Sequence, residues 1–141
     1  MKVIVVSHGS FSKGIVESVE MLAGEQEGFV AHSLYQHETV ADLTERLEAE
    51  LNNTPDDEEV IFLTDLFHGS PFNAVASLMK NHTFSHVTGV NVPFVLTLIL
   101  ERNSGRTAEE VCEAALKETQ SSVINVNKFF EKEQNEEEDN E

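Results

Sequence analysis

The stretch Lys2-Val3-Ile4-Val5-Val6 is apolar and β-branched almost throughout, and it stops abruptly on Ser7-His8-Gly9. A short strand with no polar alternation must be covered on both faces, the condition met by the inner strands of a parallel α/β sheet. Val60-Ile61-Phe62-Leu63-Thr64 is a second run of this type, and it ends on Asp65-Leu66. Between and after these runs the pattern switches to helical spacing. Ile15, Val16, Val19, Leu22 and Ala23 form one stripe, closed by Gly24 at a helix C-cap position. Val40, Leu43, Leu47 and Leu51 form another within Thr39–Asn52, followed by an acidic, proline-marked turn at 53–58.

The remaining elements follow by the same reading. Phe29–Tyr35 and Val87–Val92 are expected strands. Ser70-Pro71 marks a helix start, running to about Asn81. Pro93 opens an apolar helix to about Arg102, and Thr107 with Glu110 forms a capping box for a helix to about Gln120. Val123–Asn127 reads as one more short strand. The alternation predicts an α/β fold: a doubly wound, mostly parallel sheet of order 2-1-3-4, with right-handed crossovers and helices on both faces. Residues 1–130 form one domain, and 131–141 an acidic, disordered, solvating tail.

Charge and cysteine content narrow the function classes. The net charge is −17, of which the last eleven residues, with seven acids and one lysine, contribute −6 and leave −11 for the body. Such a field repels phosphate backbones and anionic membrane surfaces and favours basic protein partners met by electrostatic steering. No apolar run is long enough to span a bilayer, and the residues before Ser7 are too few for a signal peptide. The single cysteine, Cys112, excludes an intrachain disulfide, and its neighbours Val111 and Ala115 assign it to packing. These features point to the cytoplasm.

In the order 2-1-3-4, the chain leaves the first strand in opposite directions, and ligands collect at that switch point beyond the strands' carboxyl ends. The topology therefore sets His8 beside Asp65. A neutral imidazole is a nucleophile and proton carrier, and a carboxylate at the end of an apolar strand needs a partner. Taken singly, each has a plainer reading, His8 as a strand-end residue and Asp65 as a loop cap. The helix opened by Ser70 aims free amides at the same crevice, and Gly69 lets backbone approach an anion closely. Together these suit a phosphoryl group carried on histidine, with no metal or other cofactor required. Phe11 and Phe67 flank the crevice, either as an aromatic docking rim or as core. A metal-dependent hydrolase using His8, Asp65 and His68 is an alternative, although the spacing of a known metal motif is missing. His32, His37, His82 and His86 have no carboxylate pattern in sequence and are expected to be surface or packing residues.

Three separated segments resemble one family. They are Val6-Ser7-His8-Gly9-Ser10-Phe11-Ser12-Lys13-Gly14-Ile15, with Glu20 to Gly24 after it; Thr64-Asp65-Leu66-Phe67-His68-Gly69-Ser70-Pro71-Phe72-Asn73; and Gly89-Val90-Asn91-Val92-Pro93. They are similar, in this order, to signatures of the enzyme IIA proteins of the mannose/fructose/sorbose class of the bacterial phosphoenolpyruvate-dependent sugar phosphotransferase system (PTS), and the similarity runs to about Phe130. The resemblance implies that His8 accepts a phosphoryl group from the phosphocarrier HPr and passes it to a IIB protein, and through it to the membrane components IIC and IID. It implies that Asp65 orients the imidazole and that Ser70 lies beside the phosphate. It also implies a homodimer exchanging a last short strand, for which Val123–Asn127 is the candidate. Position 68 is more often glycine in that family, so His68 is a departure, a second titrating group or a solvent-facing one. The phosphotransfer subunit of a PTS-dependent dihydroxyacetone kinase and a flux-reporting regulatory module share this chemistry.

Overall fold

The computed structural model describes residues 1–140. Four strands, β1 (Lys2–His8), β2 (Phe29–Leu34), β3 (Val60–Thr64) and β4 (Ser85–Thr88), form one parallel sheet of order β2-β1-β3-β4. Six helices accompany them: α1 (Phe11–Ala23), α2 (Val40–Asn52), α3 (Ser70–Leu78), α4 (Val92–Glu101), α5 (Ala108–Thr119) and α6 (Val126–Asp139). The expected fold class and strand order are those observed.

The unbroken apolarity of β1 and β3 has the cause inferred for it. Val3, Val5, Ile61 and Leu63 point into a core closed by α1, α4 and α5. Ile4, Val6, Val60 and Phe62 point to the opposite face, against Leu43 and Leu47 of α2 and Ala74, Val75 and Leu78 of α3. All but Val60 of these strand residues are fully buried, and each such side chain contributes about 1.5–3 kcal/mol relative to exposure. The α1–β2 turn carries Gly24 and Gly28 at positive φ. The capping box of Thr107 with Glu110 forms as expected, and Thr39 with Asp42 makes a second at the start of α2. Among the described residues no helix is long and apolar enough to cross a membrane.

Several boundaries differ. The fourth strand is Ser85–Thr88 instead of Val87–Val92, because Gly89 turns the chain at positive φ and Asn91 caps α4 through the Phe94 N–H. The N-cap of α3 is Gly69, with Ser70 as the first helical residue. The largest correction is at the C-terminus. Val123–Asn127 is not a strand: Asn125 accepts the Lys128 N–H and starts α6, which runs through most of the segment expected to be a disordered tail. A strand needs a neighbouring edge to satisfy its backbone, whereas a helix satisfies its own, and Glu, Lys and Gln are good helix formers. None of the α6 residues is buried. Val123, Ile124, Val126, Phe129 and Phe130 are all left exposed.

Candidate functional site

The carboxyl ends of β1 and β3 meet at the switch point and bring His8 and Asp65 together. The His8 ring Nδ1 lies 2.8 Å from Asp65 Oδ2, and the His8 backbone N–H donates to the same oxygen at 2.9 Å. Two bonds to one carboxylate oxygen fix both the main chain and the ring plane. With Nδ1 engaged as donor, the neutral ring carries its lone pair on Nε2, the nitrogen on the far side. The His8 side chain is 48% exposed and that of Asp65 15%. The imidazole is half open to solvent, while the carboxylate that holds it is largely covered.

Beneath them, three buried serines hold the β1–α1 turn. Ser7 Oγ accepts the Ser12 N–H at 2.7 Å and donates to the Gly9 carbonyl. Ser12 Oγ donates to the His32 carbonyl and meets Ser33 Oγ. Gly9, at φ 53°, donates its N–H to the Leu34 carbonyl. The turn carrying His8 is thus tied to β2 on one side and, through Asp65, to β3 on the other. In the sequence these serines carry no assigned role, and Ser33 lies within the expected strand Phe29–Tyr35.

On the opposite wall, the chain turns tightly from Leu66 to Gly69, where the Gly69 N–H donates to the Leu66 carbonyl. Gly69 has an ordinary extended backbone, φ −73° and ψ 168°. Its lack of a side chain serves contact instead: a Cβ there would stand 2.9 Å from His8 Cε1 and 3.2 Å from the Leu66 carbonyl oxygen. Gly69→Ala should therefore push the His8 ring off its line with Asp65. Misplacements of this type at a reacting group cost on the order of 10–100-fold in rate. Phosphoryl-transfer kinetics on the folded variant check this, and a rate equal to wild type would show that the ring has room to move.

Beyond Gly69, α3 presents its amino end to the crevice, with Ser70 in its first turn and Pro71, which has no N–H, after it. The dipole end is positive and favours an anion. Phe11 opens α1 in an exposed position, and Leu66 and Phe67 are exposed as well, Phe67 to 61%. The aromatics that sequence left between rim and core lie on the rim. His68 sits at the third position of the turn with φ 63°, the only left-handed non-glycine among the described residues. Its ring packs on Phe67, centroids 3.8 Å apart, and edge-on to Phe72 at 5.4 Å. It joins this ring stack, and no group of three or more His, Cys, Asp or Glu side chains among the described residues is arranged to hold a metal ion.

The other histidines are less idle than their sequence surroundings indicate. His32 Nε2 lies 3.0 Å from Glu50 Oε1, and His82 Nε2 lies 3.6 Å from Glu48 Oε1. These carboxylates come from α2, so the pairing is tertiary. His86 meets Thr64 and Phe72. Burial pushes the Cys112 thiol up to about 11, as suits a packing residue.

Fold and site define an open, doubly wound α/β protein with an oriented histidine at its switch point, and comparison with known proteins gives its family. Residues 2–116 match the EIIA-man family, described as the PTS system fructose IIA component. The fructose-specific EIIA component of Bacillus subtilis (strain 168) is 33% identical over 100 residues, covering 70% of this chain and 68% of that protein. The mannose-specific EIIAB component of Escherichia coli (strain K12) is 28% identical over 123 residues, covering 86% of this chain but 38% of that longer protein. Among solved structures, EIIA from Streptococcus agalactiae superposes with a TM-score of 0.82 at 26% identity, covering 90% of this chain and 98% of that one. A PTS IIA protein associated with the fucose utilization operon of Streptococcus pneumoniae gives 0.76 at 30% identity, covering 92% and 95%. The chain belongs to the EIIA family of the mannose/fructose/sorbose class, the phosphotransfer components of the sugar PTS.

Proposed function

We propose that this chain is a phosphoryl carrier that takes the group from phospho-HPr onto His8 Nε2 and hands it to a IIB protein in the cytoplasm. The observation that carries this reading is the pair of bonds from His8 to Asp65 Oδ2, which engages Nδ1 and supports Nε2, on a half-exposed ring, as the nucleophile. The lone pair of Nε2 attacks phosphorus in line; the Nε2–P bond forms as the donor's P–N bond breaks, and that electron pair returns to the donor imidazole. The transition state is loose, with charge spread over three equatorial oxygens. Ser70 and the amino end of α3 are the groups on hand to stabilise those oxygens. His8 keeps its Nδ1 proton and becomes a cationic phospho-imidazole, whose charge Asp65 balances. Transfer to IIB is the reverse step with a different acceptor.

Docking uses the exposed rim of Phe11, Phe67 and His68, and the net charge of −17 speeds encounter with basic faces. The direct test is to incubate the protein with enzyme I, HPr and phosphoenolpyruvate and read intact mass. A gain of one acid-labile phosphoryl group is expected, and none would overturn the reading.

The same reading includes a homodimer. Among the described residues the outer edge of β4 has no strand partner, and beside it runs a groove of about 740 Å³ lined by Val87, Val90, Phe94, Leu116 and Val123. The exposed apolar segment 123–130 of a second copy is the occupant proposed for this groove, since an open edge and an uncovered apolar segment are both costly in water. Truncation after Glu118 is expected to give monomers or insoluble protein, whereas truncation after Lys132 is expected to leave dimers. Sedimentation measures both, and a full-length chain that runs as a monomer at micromolar concentration would refute the dimer.

A further inference from the structure

One ring behind the site touches both of its walls. His86 stands on β4 opposite Phe62, and Thr88 stands opposite Thr64, so the side chains of Thr64, His86 and Thr88 share the sheet face covered by α3. His86 Nε2 lies 2.9 Å from Thr64 Oγ1, and that hydroxyl donates its proton to Thr88 Oγ1 at 2.8 Å. A hydroxyl has one proton to give. With it committed to Thr88, Thr64 accepts from His86, and the imidazole is neutral with its proton on Nε2. Burial favours that neutral form and lowers its pKa to about 4.

On its other side the His86 ring packs against Phe72, centroids 5.0 Å apart. Phe72 in turn meets Phe67 edge-on at 5.2 Å and His68 at 5.4 Å. Thr64 directly precedes Asp65, the group that orients His8. Phe67 and His68 directly precede Gly69, the group that bounds the His8 ring. His68 is moreover held in a left-handed backbone that an L side chain adopts only when its surroundings enforce it. An aliphatic residue would serve on this strand if packing were the sole need, because a half-buried imidazole is costly without its bond.

We propose that His86 is a positioning residue for phosphoryl transfer: its bond to Thr64 sets the strand end that carries Asp65, and its stacking on Phe72 sets the turn that ends at Gly69. This rests on the reading of His8 as phosphoryl acceptor. It assigns to the edge strand a share in aligning a nucleophile two strands away in the sheet.

The two arms separate by substitution in the full chain. His86→Phe keeps a ring over Phe72 and removes the donor to Thr64; Thr64→Val removes the same bond from the other side with little change of shape. His86→Gln keeps an N–H donor and removes the ring. The measurements are single-turnover transfer from phospho-HPr and the NMR resonance of the His8 Nδ1 proton in the unphosphorylated protein. His86→Phe and Thr64→Val should each slow transfer at saturating donor on the order of tenfold, as loss of an outer partner of a reactive histidine does. The apparent affinity for HPr should stay within about twofold in both, because the rim is untouched. Both should shift the Nδ1 proton resonance, the double variant should be no slower than either single one, and His86→Gln should retain the resonance while losing part of the rate. Wild-type rate and resonance in both His86→Phe and Thr64→Val, or additive losses in the double variant, would overturn the proposal. If His86→Phe fails to fold, Thr64→Val decides. Failure of the unsubstituted chain to take up phosphate would defeat the carrier reading instead; the proton resonance needs no transfer, so it still reports whether His86 positions Asp65.

Discussion

His8→Ala is expected to abolish phosphoryl uptake from phospho-HPr, with the fold intact. The side chain is half exposed and contributes nothing to either hydrophobic core, and the bond from its backbone N–H to Asp65 survives the substitution. No other imidazole has the same equipment. His86 is turned inward to Thr64, His32 is paired with Glu50, and His68 is packed on Phe67. Intact mass before and after mild acid reads the result. Undiminished, acid-labile phosphate on the variant would move the acceptor elsewhere and undo the assignment of the switch point as the reaction site.

Asp65→Asn is expected to leave the fold and the uptake of phosphate in place but to slow transfer ~10–100-fold, the range found when a carboxylate behind a reactive histidine is lost. The amide oxygen can still accept from the His8 backbone N–H and from Nδ1–H, so orientation is partly kept. What disappears is the negative charge opposite a ring that becomes cationic as the Nε2–P bond forms. The loss should therefore appear at saturating donor and not in the apparent affinity for it. Rapid-quench kinetics equal to wild type would show that the 2.8 Å contact plays no part in the chemistry.

Much of this site was legible from residue order because the sheet forces it. Two apolar runs that need cover on both faces leave few topologies, and in the one adopted the residues after β1 and β3 are neighbours. His8 and Asp65 come together for that reason, 57 positions apart in sequence. Gly69 reads in the sequence as a glycine that lets backbone approach an anion, whereas the contact the structure shows, against the His8 ring, depends on a ring orientation that sequence does not specify. His86 was illegible as a support. Its partners arrive through the β3–β4 register and through the packing of α3, neither of which leaves a local pattern. At the C-terminus, Val123-Ile124-Asn125-Val126-Asn127 has strand-like residues, but within the chain it pairs with neither outer edge of the sheet. Asn125 then acts as a helix cap, and the acidic residues beyond it extend the helix.

Gly69 also sets the folded chain against the unfolded one. Its backbone, φ −73° and ψ 168°, is one that alanine adopts, and narrowing the unfolded ensemble would by itself favour alanine by about 0.4–1 kcal/mol. The folded chain has no free space for the added methyl group, which would stand 2.9 Å from His8 Cε1 and 3.2 Å from the Leu66 carbonyl oxygen. A laboratory selection that scores sugar uptake should therefore hold the glycine in the parent chain. In a His8→Ala background the nearest obstacle is gone, and a selection for heat resistance should admit alanine at the same codon more readily than it does in the parent.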